Sequence, residues 1–251
     1  MDEAATHRLR KLLQAHVREC APDDFHHQTL RVTRSGAADE AEISMLVEML
    51  RDGLALGPED VLLDLGCGNG SITDRLFSRC AGGEGVDFTE ALIEVALRYF
   101  VRPPSRTYLA KGAVEYVSSC ERPERFTKVL FAGAFQCLSP QAAQAALEAL
   151  CRRFSRVDRV LIAMLPDRDQ AASSPAPKRT SAEFLDDYQS AWGLWRTRGE
   201  MTALAAATGW HAEIRDWPSA HPQAPYRFDT VLTRASAVQR FWNQLRRLSR
   251  P

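Results

Sequence analysis

The chain has 251 residues, 45% of them hydrophobic and 25% charged, with 32 basic and 32 acidic residues and a formal net charge of zero. These values fit one elaborated globular domain and exclude a disordered or collagen-like chain and a strongly basic nucleic-acid binder. No apolar run approaches the roughly 18 residues of a membrane span, and Met1-Asp2-Glu3 opens no targeting core.

Residues 3–20 read as an amphipathic helix with Leu9, Leu12, Leu13 and Val17 on one face, broken at Ala21-Pro22-Asp23-Asp24. Phe25-His26-His27-Gln28 and the residues to Gly36 are polar and aperiodic, which predicts loop or short helix. A second helix places Ile43, Leu46, Val47 and Leu50 at i, i+3, i+4 and i+7, with Gly53 suited to its C-terminal end. Gly57-Pro58-Glu59-Asp60 then turns the chain. The stretch Val61-Leu62-Leu63-Asp64-Leu65-Gly66-Cys67-Gly68-Asn69-Gly70 follows, a buried-strand pattern, an acid and three alternate glycines. Ser71 is placed to cap a helix carrying Ile72, Leu76 and Phe77.

Two phosphate-binding signatures do not fit this loop. G-x-G-x-x-G needs glycine at 71, where Ser71 stands, and no G-K-[ST] follows. The order D-x-G-x-G-x-G resembles motif I of the class I S-adenosylmethionine (SAM)-dependent methyltransferases. The resemblance implies an α/β, doubly wound, seven-stranded and mostly parallel sheet with an antiparallel last strand. It implies SAM as cofactor, its amino-acid end wrapped by Asp64, Gly66, Cys67, Gly68, Asn69 and Gly70. It also implies that residues 1–57 form a helical lid, with Arg34 a candidate partner of the SAM carboxylate and His26 and His27 candidate bases. All three also read as solvated loop residues.

Gly82-Gly83-Glu84-Gly85-Val86-Asp87 is a poor strand by propensity, yet its position argues for the second parallel strand. Asp87 lies near the 20-residue offset at which such folds hold ribose hydroxyls, or it is an ordinary helix cap. Thr89 is placed to cap a helix burying Leu92, Val95, Ala96 and Tyr99, and Phe88 to pack on adenine. After the strand Arg106–Ala110 the family carries an acid for the adenine amino group. Here Lys111-Gly112-Ala113 leaves Gly112 and the Ala113 backbone for that task. Phe126–Leu138 resembles the fourth motif, with Phe131 and Ala132 at the cofactor. Gly133-Ala134-Phe135-Gln136 departs from the [DN]-P-P-[FY] of nucleic-acid enzymes and is closer to enzymes of metabolites. Gln136 is a candidate substrate ligand or a polar helix start.

Ser139-Pro140 opens a helix to about Phe154, and Arg159–Leu165 reads as a buried parallel strand. Ala171–Pro177 is a small-residue linker expected to be mobile. The aromatic segment behind it, with Tyr188, Trp192 and Trp195, reads as a substrate wall or as core packing. A helix around 199–208 ends at Gly209, and two alternating strands close the sheet around a turn holding His221, a third candidate base. The units expected are therefore a lid over 1–57, a SAM-binding domain over 58–169 and 198–233, a cap over 170–197 and a basic helix over 234–251. Six cysteines without C-x-x-C or zinc spacing predict reduced thiols, no metal and a cytoplasmic monomer or homodimer. The expected activity is methyl transfer to an O or N atom of a small molecule, without nucleic acid or membrane, in specialised metabolism. An RNA- or protein-directed methyltransferase and a non-catalytic SAM-binding module are the alternatives.

Overall fold

The computed structural model describes residues 3–30, 32–33, 36–37, 39–176 and 181–235. Arg34 and nearly all of the expected C-terminal helix lie outside the described residues. Seven strands form one sheet: β1 (Val61–Leu65), β2 (Gly82–Asp87), β3 (Arg106–Ala110), β4 (Lys128–Ala132), β5 (Arg159–Pro166), β6 (Trp210–Asp216) and β7 (Arg227–Arg234). The spatial order is 3-2-1-4-5-7-6, with β7 running antiparallel to the other six strands. A two-residue ribbon pairs Val32–Thr33 with Gly36–Ala37.

Both faces of the sheet are covered, so its strands are apolar at successive positions. Leu63 and Leu65 of β1 join one core with Val129, Phe131, Val160 and Ile162, under α7 (Pro140–Arg153). Leu62 joins the opposite core with Leu130 and Leu161, against α3 (Glu40–Leu54). Helices α4 (Ser71–Phe77), α5 (Glu90–Tyr99), α6 (Ala113–Ser119) and α9 (Arg198–Thr208) complete the layers. Two more, α1 (Glu3–Glu19) and α2 (Phe25–Gln28), precede them, and α8 (Ala182–Leu185) lies between β5 and α9.

Glycine-rich β2 is a strand because the glycines are where neighbours come closest. A Cβ on Gly83 would sit 1.9 Å from the Leu62 carbonyl oxygen, and one on Gly85 2.7 Å from Tyr108. Packing outweighs propensity there.

Several local expectations need correction. Gly53 lies inside α3, facing Leu161, and Ala55 provides the left-handed cap. Gly70, not Ser71, is the N-cap of α4, because the turn demands positive φ there. Tyr99 and Leu12 are exposed on their helices, at 37% and 49%. Ala171 and Ala176, expected in a mobile linker, are buried in a satellite core with Leu185, Trp195 and Tyr226.

Candidate active site

The C-terminal ends of β1, β2 and β4 open into a cavity of about 1200 Å³, at the point where the strand order reverses. Pockets for one small ligand run to about 300–1,000 Å³, so the space suits two molecules side by side.

One half is built by the glycine loop. Gly66 (φ +87°) and Gly68 (φ +59°) line the cavity in left-handed conformations open to glycine at no steric cost. Asp87, at the end of β2, is 7% exposed. Its Oδ2 accepts the Gly68 N–H at 3.0 Å and its Oδ1 the Thr89 N–H at 2.8 Å. Burial pushes its pKa up, and these backbone donors pull against that shift. Each oxygen keeps acceptor capacity, so a diol can be held there. Phe88, Gly112, Ala113, Phe131 and Ala132 line the same half. A Cβ on Gly112 would meet nothing nearer than 4.0 Å, which leaves space beside it.

The other loop residues work from behind. Asp64 Oδ2 accepts the Thr73 hydroxyl at 2.6 Å, pinning the strand end to α4. Cys67 and Gly70 are turned toward Tyr108 and the sheet. Asn69 is fully buried, and its Nδ2 donates to the Phe25 carbonyl at 2.7 Å and to Gln28 Oε1 at 2.9 Å. The glycine loop is thereby tied to α2. Thr29 and Leu30, just after α2, line the cavity, as do Leu9 and Leu13 of α1.

His26 and His27 do not line it. His27 is exposed, its ring edge-on to His16 at 5.1 Å. Spacing in the sequence pointed to no metal cluster, yet folding brings ligand atoms of His16, Cys20 and His27 within 4.8 Å of one another. The separation of these residues along the chain hides that grouping.

The other half lies under α3 and the turn before β7. Gln136 is 5% exposed, lines the cavity and has no partner for Oε1. Tyr188 lines it too, whereas Trp192 and Trp195 do not. These tryptophans stack at 6.1 Å, and Trp192 also meets Tyr226 at 6.4 Å, as packing of the segment on itself. His221 is 8% exposed and edge-on to Trp217 at 4.5 Å. Burial lowers its pKa, which keeps the ring neutral. Its Nδ1 accepts the Gln223 N–H at 3.1 Å, which places the proton of the neutral ring on Nε2. This tautomer offers a donor, not a base.

Arg227, Met164 and Glu42 are lining residues that the sequence reading did not single out. Between Ile162 and Leu165 the register of β5 against β7 slips. Met164 there has φ +66°, its N–H bound to Asp229 Oδ1 at 2.9 Å and its carbonyl to Arg227 Nη1. The sequence signal was an arginine and an aspartate at alternate positions at the start of a strand. Cys137, also in the lining, has its thiol pKa pushed up to about 12 by burial.

Residues 62–156 match the family described as "Methyltransferase domain". The tRNA1(Val) (adenine(37)-N6)-methyltransferase of Musicola paradisiaca (strain Ech703) is 26% identical over 200 residues, 73% of this chain and 73% of that protein. The DhpI–SAH complex is similar in fold, with TM-score 0.62 and 15% identity over 94% of this chain and 99% of that one. So is 1,6-didemethyltoxoflavin-N1-methyltransferase of Burkholderia thailandensis, solved with its substrate and S-adenosylhomocysteine (SAH). Its TM-score is 0.54 at 20% identity, over 79% of this chain and 80% of that one. With the family match spanning β1 to α7 and the strand order that encloses it, the chain carries a methyltransferase domain in the class I methyltransferase fold.

Proposed function

We propose that the protein methylates an oxygen or nitrogen atom of a small molecule held in the inner half of the cavity. The observation that carries this reading is the space beyond the cofactor half, walled by Ile43, Leu46, Met164 and Trp217 and offering Gln136, His221 and Arg227 as polar groups. Such a lining suits a compact apolar body oriented by two or three polar contacts. SAM supplies a methyl group already activated on its sulfonium. The chain then has to bind, orient and exclude water, and orientation alone can contribute about 7–11 kcal/mol.

In this reading Gly66 and Gly68 hold the methionine end, Asp87 the ribose hydroxyls, and Phe88, Gly112 and Ala113 the adenine. The N-terminal helices act as the lid and residues 170–197 as the outer wall, with Tyr188 and Gln136 toward the acceptor. His221 orients the acceptor as a donor. A nucleophile needing no base fits this arrangement, either a neutral amine or an already ionised oxygen. A role in specialised metabolism accords with the departure from [DN]-P-P-[FY] at Gly133-Ala134-Phe135-Gln136.

The tRNA-directed relative supports a second reading, in which a flipped base enters the same space. Zero net charge argues against it, since RNA affinity rests on phosphate contacts. Incubation with SAM and either pooled metabolites or bulk tRNA separates the two. The small-molecule reading expects SAH formation and a 14-dalton gain on a metabolite; label confined to tRNA overturns it.

A further inference from the structure

Arg227 is the first residue of β7. Because β7 runs against the rest of the sheet, its start pairs with Pro166 at the end of β5. Topology therefore delivers a guanidinium to the same edge of the sheet as Asp87 and Gly66. The side chain lines the cavity. Nη1 donates to the Met164 carbonyl, while Nε is buried without a partner. Among the described residues, no carboxylate lies within 4.0 Å of it. The Tyr226 ring lies 5.8 Å from the guanidinium carbon, and Asp229, which also acts on the charge, has its Oδ1 already taken by Met164 N–H and Trp217 Nε1–H, the latter at 2.7 Å.

Capping one carbonyl of a bulge needs one neutral donor. A guanidinium brings five N–H groups and a permanent charge, and a buried charge without a counter-ion is costly. Its planar fork matches a carboxylate or phosphate. Other charged or titratable groups in the lining are Glu42, Tyr188, His221 and Cys137, with Asp87, Lys111 and Glu115. Burial lowers the His221 pKa, which favours its uncharged form.

We propose that Arg227 is the oxyanion-binding residue of the acceptor pocket, and that the methyl acceptor is an amphipathic acid whose carboxylate or phosphate completes this guanidinium. The inference rests on the small-molecule reading above.

The test uses the full chain saturated with SAH. Calorimetry follows the binding of benzoate, phenyl phosphate and the neutral isostere benzamide. SAH binding is measured first, and its failure would bear on the methyltransferase site itself and not on Arg227. At least one acid is expected to bind tenfold or more tighter than benzamide, and which acid does so distinguishes carboxylate from phosphate. Arg227→Gln keeps a donor for the Met164 carbonyl but lacks the charge. It is expected to abolish the preference for the acid while holding SAH affinity within twofold. Arg227→Lys, which keeps the charge without the fork, is expected to retain part of it and covers the case in which the glutamine variant fails to fold. Equal binding of acid and amide, no acid binding, or a preference that survives in Arg227→Gln each overturns the proposal.

Discussion

The two halves of the cavity are made differently. The half proposed for the cofactor comes mainly from consecutive pieces of chain, β1, its glycine loop, β2 and the turn after it, completed by Gly112, Ala113 and the end of β4, and its shape is set largely by backbone conformation. The half proposed for the acceptor is collected from α1, α3, the bulge in β5, the turn at His221 and the start of β7, and its shape is set by where side chains point. A backbone-built site needs glycine at fixed spacing, so it writes itself into the sequence. A side-chain-built site needs only that distant residues meet, and it leaves no local signature.

Breaking the first half should have the largest effect. In Gly66→Ala the new Cβ would stand 2.2 Å from the Ala134 Cβ at a φ of +87°. Strain and overpacking cost about 1–3 kcal/mol each. Calorimetry should find SAH binding lost, and denaturant titration a lower midpoint. Retained affinity would show that the loop is not the cofactor's seat.

Trp195→Ala probes the segment packed outside both halves. The ring is 1% exposed in the satellite core, so removal should cost about 3–5 kcal/mol of stability. SAH affinity of the folded variant should be unchanged, as Trp195 lines neither half. A change in affinity would join the outer segment to the cofactor site.

Asp87→Asn should be milder. Losing charge-assisted bonds to a diol is worth about 1.5–3 kcal/mol, roughly ten- to a hundredfold in SAH affinity. The wild type also carries a pH signature. The ionised carboxyl is the form that accepts the hydroxyls, and burial raises its pKa. Affinity should therefore fall as pH falls, beginning above the usual carboxylate range, and the slope should vanish in Asp87→Asn. An equal slope in the variant would place the titrating group elsewhere. Leu12→Ser should do least. At 49% exposure on α1 it should shift stability by less than about 0.5 kcal/mol in a melting experiment.

The same contrast explains what could be read in advance. The parallel core followed from near-continuous apolar runs such as Val160–Ile162, the doubly wound sheet from the family resemblance, and the place of Asp87 at the end of β2 from its offset behind the glycine loop. Helix faces were legible in α3, where all four spaced residues are buried. They were less so in α1, where Leu12 faces away because only part of that helix is covered. Ser71 was misplaced by one position because cap preference was weighed before the turn's need for positive φ at Gly70. The aromatic segment read as a wall for ligand or as core packing, and its tryptophans pack on each other and on Tyr226. His26 and His27 drew notice as a pair, yet consecutive residues on a short helix face different ways, and His27 met His16 instead. Arg227 escaped because a single arginine says little in a chain where only four of 32 basic residues are lysine.

One amide, that of Asn69, clasps the Phe25 carbonyl and Gln28 from inside the loop that faces the cavity. If the N-terminal segment is the door proposed above, door and hinge share a fastening. Swinging it aside to free spent product would then tug on the glycine loop itself, and turnover would depend on how readily that fastening slips.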